Sequence, residues 1–583
     1  MKNSRMGGNR LIQIKISAAT WAIIVGACAL TCLLAARSSW AGQQNASATA
    51  PSNLPINFGL KSLGPLNIEA DARAEGTPLV HFWSKVVGAG RANEGLRASW
   101  QEQLHESVQY DGFQYVRFHG LFHDDMFMYH FDKQGKPVYN FQYLDDLFDR
   151  MLENSARPFI ELSFVPSELA SGTNTSMWWK AHTTPPNDIA KWNELVDHFV
   201  RHCVSRYGAD EVHKWYFEVW NEPNLHSFFS GTQQQYFDLY KETALTIKKI
   251  DPALKVGGPA TSNFELIQPG SSPYHNSSQL EENGRDGLWR PVWVVEFLKF
   301  CHDQGVPIDF VSTHPYPTNF AMDIDGVKKI LRRSVDSTHD DLAVLRDIVR
   351  GSGYPNAEIE LTEWNSTPFS RDHTHDALPE ATFVVKANLD SVGLADSLSY
   401  WTFTDVFEES RETDSIFHGG FGLINYQGIV KPAFHGYRFL NALGDEKLGS
   451  VDGGIVTRDS KTGKVTALAY NYPLTITIPL TQTVEDADKL TQVGSSRRMS
   501  LRITGLPPGC AFAVETLDRE HGNAVLAWER MGRPETPNRE QTAQLKEMAW
   551  NTNKEIVNAD SLGTLKIDRT LDAWSVILFS QIH

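Results

Sequence analysis

Cysteine is scarce in this chain, with five residues in 583. Cys28 and Cys32 lie in an apolar N-terminal stretch, whereas Cys203, Cys301 and Cys510 are far apart along the rest of the sequence. An odd number of cysteines without a CxxC pair indicates neither a disulfide framework nor a zinc site, and at most one disulfide could form. We therefore expect buried free thiols.

Basic residues are also in deficit. The chain has 54 Lys and Arg against 70 Asp and Glu, which gives a net charge of −16. The first 41 residues carry five basic and no acidic side chains, so the remainder has a net charge of −21. This balance disfavours nucleic acids and anionic membranes as partners. With 41% apolar and 21% charged residues, the composition is that of a soluble globular protein, neither disordered nor membrane-embedded.

The N-terminal segment has the layout of an export signal. An apolar run from Ala18 to Ala36 follows a basic region and precedes the small-x-small motif Ser39-Trp40-Ala41. We predict a signal peptide at 1–41, cleaved after Ala41, and hence a secreted or periplasmic protein. Because the apolar run is long enough to cross a bilayer, an uncleaved membrane anchor is the alternative. Residues 42–55 are small and polar and predict a linker.

Between about residues 80 and 440, short apolar runs alternate with amphipathic helical stretches. The runs are 82–90, 115–122, 157–164, 215–224, 254–261, 309–316, 358–365 and 397–407. Nearly continuous apolar strands are typical of a parallel sheet that is buried on both faces. Eight of them, each followed by a helical pattern, predict an α/β fold with a (β/α)8 TIM barrel at 80–440.

The pattern changes after residue 440. Strand-like pieces separated by turn residues follow, and we expect little helix between them. This pattern predicts a β-sandwich at 441–583, appended to the barrel. The segment 56–79 precedes the first barrel strand and could add strands to that sandwich.

Two glutamates follow predicted barrel strands, Glu222 after the fourth and Glu363 after the seventh. The active site of such a barrel lies at the C-terminal ends of its strands. Cleavage of a glycosidic bond needs one protonated carboxyl for the leaving oxygen and one ionised carboxylate for the anomeric carbon. We predict Glu222 as the general acid/base and Glu363 as the nucleophile, kept ionised by Arg117 or other donors. Asn221 could bond the sugar 2-hydroxyl, and Trp401 could be either a sugar platform or a barrel plug.

Each of these residues also has a structural explanation when taken alone. Glu363 could cap a helix or form a salt bridge at the rim, and His119 could be a hydrogen-bonded core histidine. A cluster of imidazoles and carboxylates could suggest a metal site: His119, His123, Asp124 and Asp125. The sequence has no HExxH motif and no obvious further ligands, so we predict neither a metal nor a cofactor.

At these positions the chain resembles glycoside hydrolase family 39, which contains β-xylosidases and α-L-iduronidase. The matching segments are VGAGRANEGLRASWQEQL (87–104), YVRFHGLFHDDM (115–126), FEVWNEPNL (217–225), VGGPATS (256–262), STHPYP (312–317), IELTEWNS (359–366), YWTFTDVFEE (400–409) and HGGFGLI (418–424). They follow the barrel in order and are closer to the bacterial β-xylosidases than to the iduronidases.

The resemblance implies roles for particular residues. It assigns the acid/base to Glu222 and the nucleophile to Glu363, and it pairs the barrel with a β-sandwich. It also implies substrate contacts at His119, Asn221, His314, Tyr316 and Glu408. The chain departs from the family pattern at SRETDSIFHGG (410–420), where a loop with Gly and Pro is expected. The resemblance implies that this loop borders the sugar pocket, so a pentose other than xylose, such as arabinose, could be accommodated.

We therefore expect a retaining exo-glycosidase that takes part in xylan degradation. It would release xylose from the non-reducing end of β-xylosides and xylo-oligosaccharides by double displacement. Alternatives with the same mechanism are an arabinosidase and a uronate hydrolase like α-L-iduronidase, and the latter needs a basic residue to pair the sugar carboxylate. A carbohydrate-binding protein without catalysis is a further alternative, against which the presence of both carboxylates argues. The sequence does not give the oligomeric state.

Overall fold

The computed structural model describes residues 59–61, 63–266, 289–322, 328–409 and 415–582. The predicted signal peptide (1–41) and linker (42–55) lie outside the described residues. Within the described ranges, no helix combines the length and apolarity needed to span a membrane. Cys203, Cys301 and Cys510 are buried free thiols, as predicted.

Eight parallel strands close into a barrel. In chain order, strands 1 to 8 are Val86–Arg91, Tyr115–His119, Arg157–Glu161, Tyr216–Glu218, Lys255–Ser262, Phe310–His314, Glu358–Trp364 and Ser397–Tyr400. Strand 8 pairs with strand 1, which closes the sheet on itself. Almost every side chain in these strands is buried, which explains why each one forms a nearly continuous apolar run in the sequence. The predicted (β/α)8 barrel is confirmed.

Strands 4 and 8 are shorter than the apolar runs 215–224 and 397–407 from which they were predicted. After strand 4 the backbone leaves the sheet, and Trp220 and Glu222 take positive φ angles of 74° and 44°. Such angles are uncommon for residues other than glycine and are found disproportionately at functional sites. The residues beyond each short strand therefore form walls of the open end of the barrel.

In the described ranges, a helix of at least 10 residues follows each barrel strand and covers the outside of the barrel. The eight helices are Ala98–Asp111, Gln142–Glu153, Ile189–Tyr207, Gln233–Ile250, Val294–Gln304, Ser337–Arg350, Leu378–Asp390 and Pro432–Asn441. Local sequence sets several of their limits. Asp188 caps the third helix, Thr232 and Gln235 form a capping box at the fourth, and Gly305 ends the fifth with a φ of 64°.

Short antiparallel strand pairs lie in the loops between barrel elements. They are Tyr129–Phe131 with Pro137–Tyr139, Thr175–Ser176 with Ala181–His182, Phe264–Leu266 with Trp289–Pro291, and Thr318–Met322 with Lys328–Arg332.

The N-terminal end of the barrel is filled by aromatic rings and ion pairs. The rings of Phe159, Tyr216 and Phe310 contact one another with centroids 4.8–5.4 Å apart. Nearby, Lys85 pairs with the carboxylates of Glu358 and Glu360. The opposite, C-terminal end is therefore the one that offers space for a ligand, as is usual for this fold.

Two further sheets enclose a second apolar core. A three-stranded sheet contains Leu66–Asp71, Arg497–Thr504 and Leu565–Leu571, and a seven-stranded sheet contains Thr77–Pro78, Glu446–Val451, Gly454–Arg458, Val465–Tyr470, Val576–Gln581, Ala511–Leu517 and Asn553–Asn558. Leu501 of the first sheet and Phe512 of the second lie in the same buried cluster. The segment Leu66–Asp71 joins this β-sandwich in parallel with Arg497–Thr504. The domain limits given above stay a prediction.

The expectation of little helix after residue 440 is wrong. Within the described residues, three helices lie there: Val484–Thr491, Ala524–Arg530 and Arg539–Trp550. The third begins with a capping box formed by Asn538 and Gln541, a start signal that is present in the sequence. Its last residue, Trp550, packs its ring against Tyr110 and Phe434 of two barrel helices at 4.8 and 5.5 Å. These contacts bury one face of the helix against the barrel. The segment therefore lacks the alternation of buried and exposed residues that is typical of a strand in a sandwich.

Candidate active site

A cleft of about 270 Å³ opens at the C-terminal ends of the barrel strands. Six of the residues predicted from the sequence line it: His119, Asn221, Glu222, Tyr316, Glu363 and Trp401. His314 lies directly behind Glu222 and is fully buried. The structure therefore brings together residues from strands 2, 4, 6, 7 and 8 that are far apart in the sequence.

Glu222 lies just after strand 4 in a largely buried position. Its Oε1 is 2.8 Å from Nδ1 of His314. Burial raises the pKa of Glu222 to about 7, although a hydrogen bond from Ser262 opposes the rise. A carboxyl with this pKa holds its proton at mildly acidic to neutral pH, which suits proton donation to a leaving group.

Glu363 lies near the end of strand 7 and is bound on both of its oxygens. Arg117 donates from Nη1 to Oε1 over 2.8 Å, and the Tyr316 hydroxyl donates to Oε2 over 3.1 Å. Burial raises the pKa of Glu363 as well, but the positive charge of Arg117 opposes the rise. Because Glu363 faces a guanidinium and Glu222 does not, Glu363 is the member of the pair that more readily stays ionised.

The two carboxyl groups face each other across the cleft. One oxygen of Glu222, one oxygen of Glu363 and one ring nitrogen of His314 all lie within 4.8 Å of one another. Three such atoms could in principle hold a cation. However, the Arg117 guanidinium already supplies a positive charge to Glu363, and a hydrogen bond joins His314 to Glu222. The arrangement therefore fits two carboxyl groups that differ in protonation.

Arg117 connects the nucleophile candidate to three other polar groups. Its Nε donates to Glu218 over 2.6 Å, and its Nη2 lies 2.9 Å from both Glu161 and the Asn221 Oδ1. Since Arg117 donates to the amide oxygen of Asn221, the amide nitrogen of Asn221 is left to donate to a ligand in the cleft. Glu161 and Glu218 were not identified from the sequence. The sequence signal that could have identified both glutamates is a charged residue at the end of an apolar strand.

A chain of hydrogen bonds runs from Glu222 away from the cleft. His314 Nε2 is 3.1 Å from the Thr362 hydroxyl, which donates to Glu218 Oε1 over 2.8 Å. The Glu218 carboxylate, which is paired with Arg117, accepts the hydrogen bond from the Thr362 hydroxyl. A lone pair of the Thr362 oxygen then accepts a hydrogen bond from Nε2–H of His314. Burial lowers the pKa of His314 to about 4, so the ring is neutral near pH 7. Its Nδ1 then has no proton and accepts a hydrogen bond from the protonated carboxyl of Glu222.

His119 and Trp401 form the wall beside Glu363. His119 Nδ1 is 2.7 Å from Glu161, and its Nε2 is 3.5 Å from Glu363. Burial alone would lower the pKa of His119, but the neighbouring carboxylates raise it well above its ordinary value. The Trp401 ring contacts His119 at 4.7 Å and lies over Gly88, where an added Cβ would be only 2.4 Å from the ring. Gly88 thus makes room for the ring.

The structure does not place Glu408 in this cleft. Its carboxylate pairs with Arg91 at 2.7 Å and with Arg97, and it faces a neighbouring cavity. The next residue, Glu409, lines the cleft instead, and its Oε1 is 3.3 Å from His119 Nε2. Glu409 is therefore a site residue, and the sequence-based prediction named its neighbour Glu408 instead.

The other residues of the suspected metal cluster lie outside the cleft and have other partners. His123 Nδ1 is 2.8 Å from Asp125 Oδ1, and Asp125 also pairs with Arg91. Asp124 accepts from the backbone nitrogen of Ser167. These contacts hold the loop after strand 2 and account for the cluster without a metal.

Comparison with known proteins agrees with this geometry. Residues 66–565 match the sequence profile described as "Glycosyl hydrolases family 39". The chain is 35% identical over 494 residues to a β-xylosidase of Caldicellulosiruptor saccharolyticus, which covers 84% of this chain and 90% of that protein.

Solved structures show the same similarity. A family 39 enzyme from Xanthomonas axonopodis pv. citri has a TM-score of 0.76 and 34% identity, covering 89% of this chain and 97% of its own. A monomeric β-xylosidase from Caulobacter crescentus CB15 has a TM-score of 0.76 and 32% identity, covering 88% of this chain and 99% of its own. The profile match spans the barrel and most of the sandwich, and these relatives share the fold over nearly their whole length. This chain is a glycoside hydrolase and belongs to family 39.

Proposed function

We propose that this enzyme is a retaining exo-β-xylosidase that removes xylose from the non-reducing end of short oligosaccharides. The observation that carries the proposal is the pair of carboxyl groups with oxygens within 4.8 Å of each other. Retaining glycosidases have a separation of about 5–5.5 Å, whereas inverting enzymes need about 6.5–9.5 Å to admit a water molecule between the carboxylate and the sugar. The short distance supports direct attack by a carboxylate.

The different surroundings of the two carboxyl groups support separate roles in two steps. In the first, Glu363 attacks the anomeric carbon while Glu222 gives its proton to the leaving oxygen. In the second, Glu222 takes a proton from water, and this water displaces Glu363 from the sugar. Arg117 and Tyr316 hold Glu363 in place, and the Asn221 amide can donate to the sugar 2-hydroxyl as positive charge develops on the ring.

A neutral sugar fits the lining of the cleft better than a uronate. None of the described residues that line the cleft is a lysine or an arginine, and Glu409 adds a carboxylate beside His119. The His119 ring in the cleft, whose pKa is raised, is already paired with Glu161 and Glu409, so a sugar carboxylate there would compete with these carboxylates and face a like charge. The relatives named β-xylosidase at 35% identity favour xylose over arabinose.

We also propose that residues 1–41 direct export of the enzyme. This proposal rests on the basic, apolar and small-x-small regions of that segment. N-terminal sequencing of the enzyme recovered outside the cytoplasm should begin at Gly42. A start at Met1 on a membrane-bound form would favour the anchor instead.

The decisive experiment follows the stereochemistry of the first product. Hydrolysis of p-nitrophenyl β-xyloside by the wild-type enzyme, watched by NMR, should release β-xylose before mutarotation. Glu363→Ala should lose nearly all activity and regain part of it with azide, which takes the place of the carboxylate. Release of α-xylose, or full activity of Glu363→Ala without azide, would refute the proposed mechanism. Absence of hydrolysis by the wild type would favour a carbohydrate-binding role.

A further inference from the structure

A second cavity of about 530 Å³ lies next to the catalytic cleft and is about twice its volume. Ser370 lines both spaces. The consecutive residues Glu408 and Glu409 line the second cavity and the cleft, respectively. The shared residue and the two consecutive residues place the two spaces side by side.

The position of this cavity in the barrel defines which side of the substrate it faces. Its lining comes mainly from residues after strands 7 and 8, such as Arg371, Phe407 and Tyr426, and includes no residue from strands 4 to 6. In the closed eight-stranded barrel, strand 8 lies opposite strand 4, which carries Glu222. The leaving group must be near Glu222 to receive its proton. The second cavity is therefore on the side away from the leaving group.

The side chains of the cavity are of the kind that bind sugars. Trp178 and Tyr426 are 44% and 53% exposed although both are large aromatic residues, and Phe407 lies between the cavity and Trp401. Flat rings of this kind pack against the apolar faces of sugars. A cluster of half-exposed aromatic rings at the mouth of a glycosidase therefore points to a carbohydrate ligand.

Polar groups around the rings need hydrogen-bond partners. Within the described residues, Ser415 Oγ, His418 Nδ1 and Gln427 Oε1 are buried and have none. Unpaired buried polar atoms are uncommon and each costs free energy, so three on the lining of one cavity indicate that partners are supplied from elsewhere. Sugar hydroxyls both donate and accept, so they match all three of these groups.

The floor of the cavity is rigid. Glu408 is fixed by Arg91 and Arg97, and the buried Lys431 pairs with Asp405 and Asp376 at 2.7 Å each. A cavity with fixed walls is pre-organised, which reduces the entropy lost when a ligand is ordered in it.

We propose that this cavity binds a second sugar unit, attached on the non-reducing side of the unit that Glu363 attacks. The inference rests on the proposed function, because it takes Glu222 as the proton donor. Hydrolysis breaks the same glycosidic bond and consumes one water molecule, but it releases a two-sugar product. Ser415, His418 and Gly420 of the cavity lining belong to the part of the sequence that departs from the family pattern. The enzyme thus cleaves substrates that carry one more sugar on the non-reducing side of the attacked unit, in addition to substrates with a single xylosyl unit.

The test uses p-nitrophenyl β-1,4-xylobioside, with p-nitrophenyl β-xyloside as the one-unit comparison. The wild type should release xylobiose and p-nitrophenol together, without a lag. Trp178→Ala should lower the ratio of kcat/KM for the two-unit to the one-unit substrate by about twofold to twelvefold, since an aromatic contact contributes about 0.5–1.5 kcal/mol. Gln427→Ala, a smaller change at the same cavity, should lower the ratio in the same direction.

Tyr143→Ala is the matched control, because Tyr143 is 42% exposed but lines neither space. Its substitution should leave the ratio unchanged. Release of xylose first, with p-nitrophenol only after a lag and no xylobiose, would overturn the proposal while leaving the proposed function intact. So would an unchanged ratio in both cavity variants. Failure to hydrolyse either substrate would instead refute the proposed function, and with it this inference.

Discussion

Replacing Thr362 by valine removes one hydroxyl from the hydrogen-bond chain behind Glu222 while keeping the side chain nearly the same size. In the wild type, Thr362 donates to Glu218 and accepts from His314 Nε2–H, with distances of 2.8 and 3.1 Å. This fixes the tautomer of His314 in which Nδ1 carries no proton. Such a nitrogen stabilises the protonated form of Glu222 and offers no donor to the ionised form.

Without the Thr362 hydroxyl, the other tautomer of His314 becomes accessible. Its Nδ1–H donates to the Glu222 carboxylate and lowers the pKa of Glu222 from its value of about 7. A net hydrogen bond contributes about 0.5–1.5 kcal/mol, and 1.36 kcal/mol corresponds to one pKa unit. We expect the pKa of Glu222 to fall by about 0.5 to 1 unit. The acid must be protonated in the free enzyme, so the alkaline limb of kcat/KM moves to lower pH by the same amount.

The assay is the pH profile of kcat/KM on xylobiose, whose sugar leaving group depends on proton donation. Thr362→Ser keeps the hydroxyl and should keep the wild-type profile. A p-nitrophenyl substrate needs less proton donation and should show a smaller effect of Thr362→Val near neutral pH. If the folded Thr362→Val enzyme has an unchanged alkaline limb, or one that moves to higher pH, the tautomer assignment is wrong.

Two further predictions concern buried charges outside the cleft. Burial raises the pKa of Asp111 well above its usual value, and both of its oxygens are buried without hydrogen-bond partners in the described part of the chain. The contribution of Asp111 to the free energy of unfolding should therefore fall as pH rises above about 4. Asp111→Asn should remove this loss of stability. The thermal unfolding midpoint of the variant should exceed that of the wild type by more at pH 7 than at pH 4, and an equal difference between the two proteins at both pH values would contradict the prediction. Lys431→Met leaves the carboxylates of Asp376 and Asp405 buried without their cation and should cost about 3–5 kcal/mol, measured by denaturant unfolding. The exposed pair of Lys299 provides the control, since Lys299→Met should change stability by less than about 1 kcal/mol.

The barrel could be predicted because one pattern, an apolar run followed by an amphipathic helical stretch, repeats along the chain. Each strand is buried on both faces, so each forms an apolar run, and eight such runs alternate with amphipathic helices. Polar residues at the ends of these runs were then expected at one end of the barrel, and Glu222 and Glu363 do lie together there. The helix Arg539–Trp550 was missed because its apolar face packs on the barrel, a partner that local periodicity does not reveal.

The finer geometry of the site could not be predicted for physical reasons. Glu408 and Glu409 are neighbours in the loop after strand 8, and their side chains line different spaces. The pairing of Glu408 with Arg91 and Arg97, which lie more than 300 positions earlier in the sequence, selects the residue that faces the cleft. The same holds for Glu218, whose contact with Arg117 exists only once the barrel has closed.

The parallel pairing of Leu66–Asp71 with Arg497–Thr504 has a consequence for biosynthesis. The first of these strands leaves the ribosome about 430 residues ahead of its partner, which at about 5–20 residues per second is a delay of roughly 20 to 90 s. During this time Leu66 and Ile68, which are buried in the finished protein, have no sheet to join. The sandwich can therefore complete its three-stranded sheet only after most of the chain has been synthesised, and truncation before Arg497 should leave Leu66–Asp71 without a partner strand.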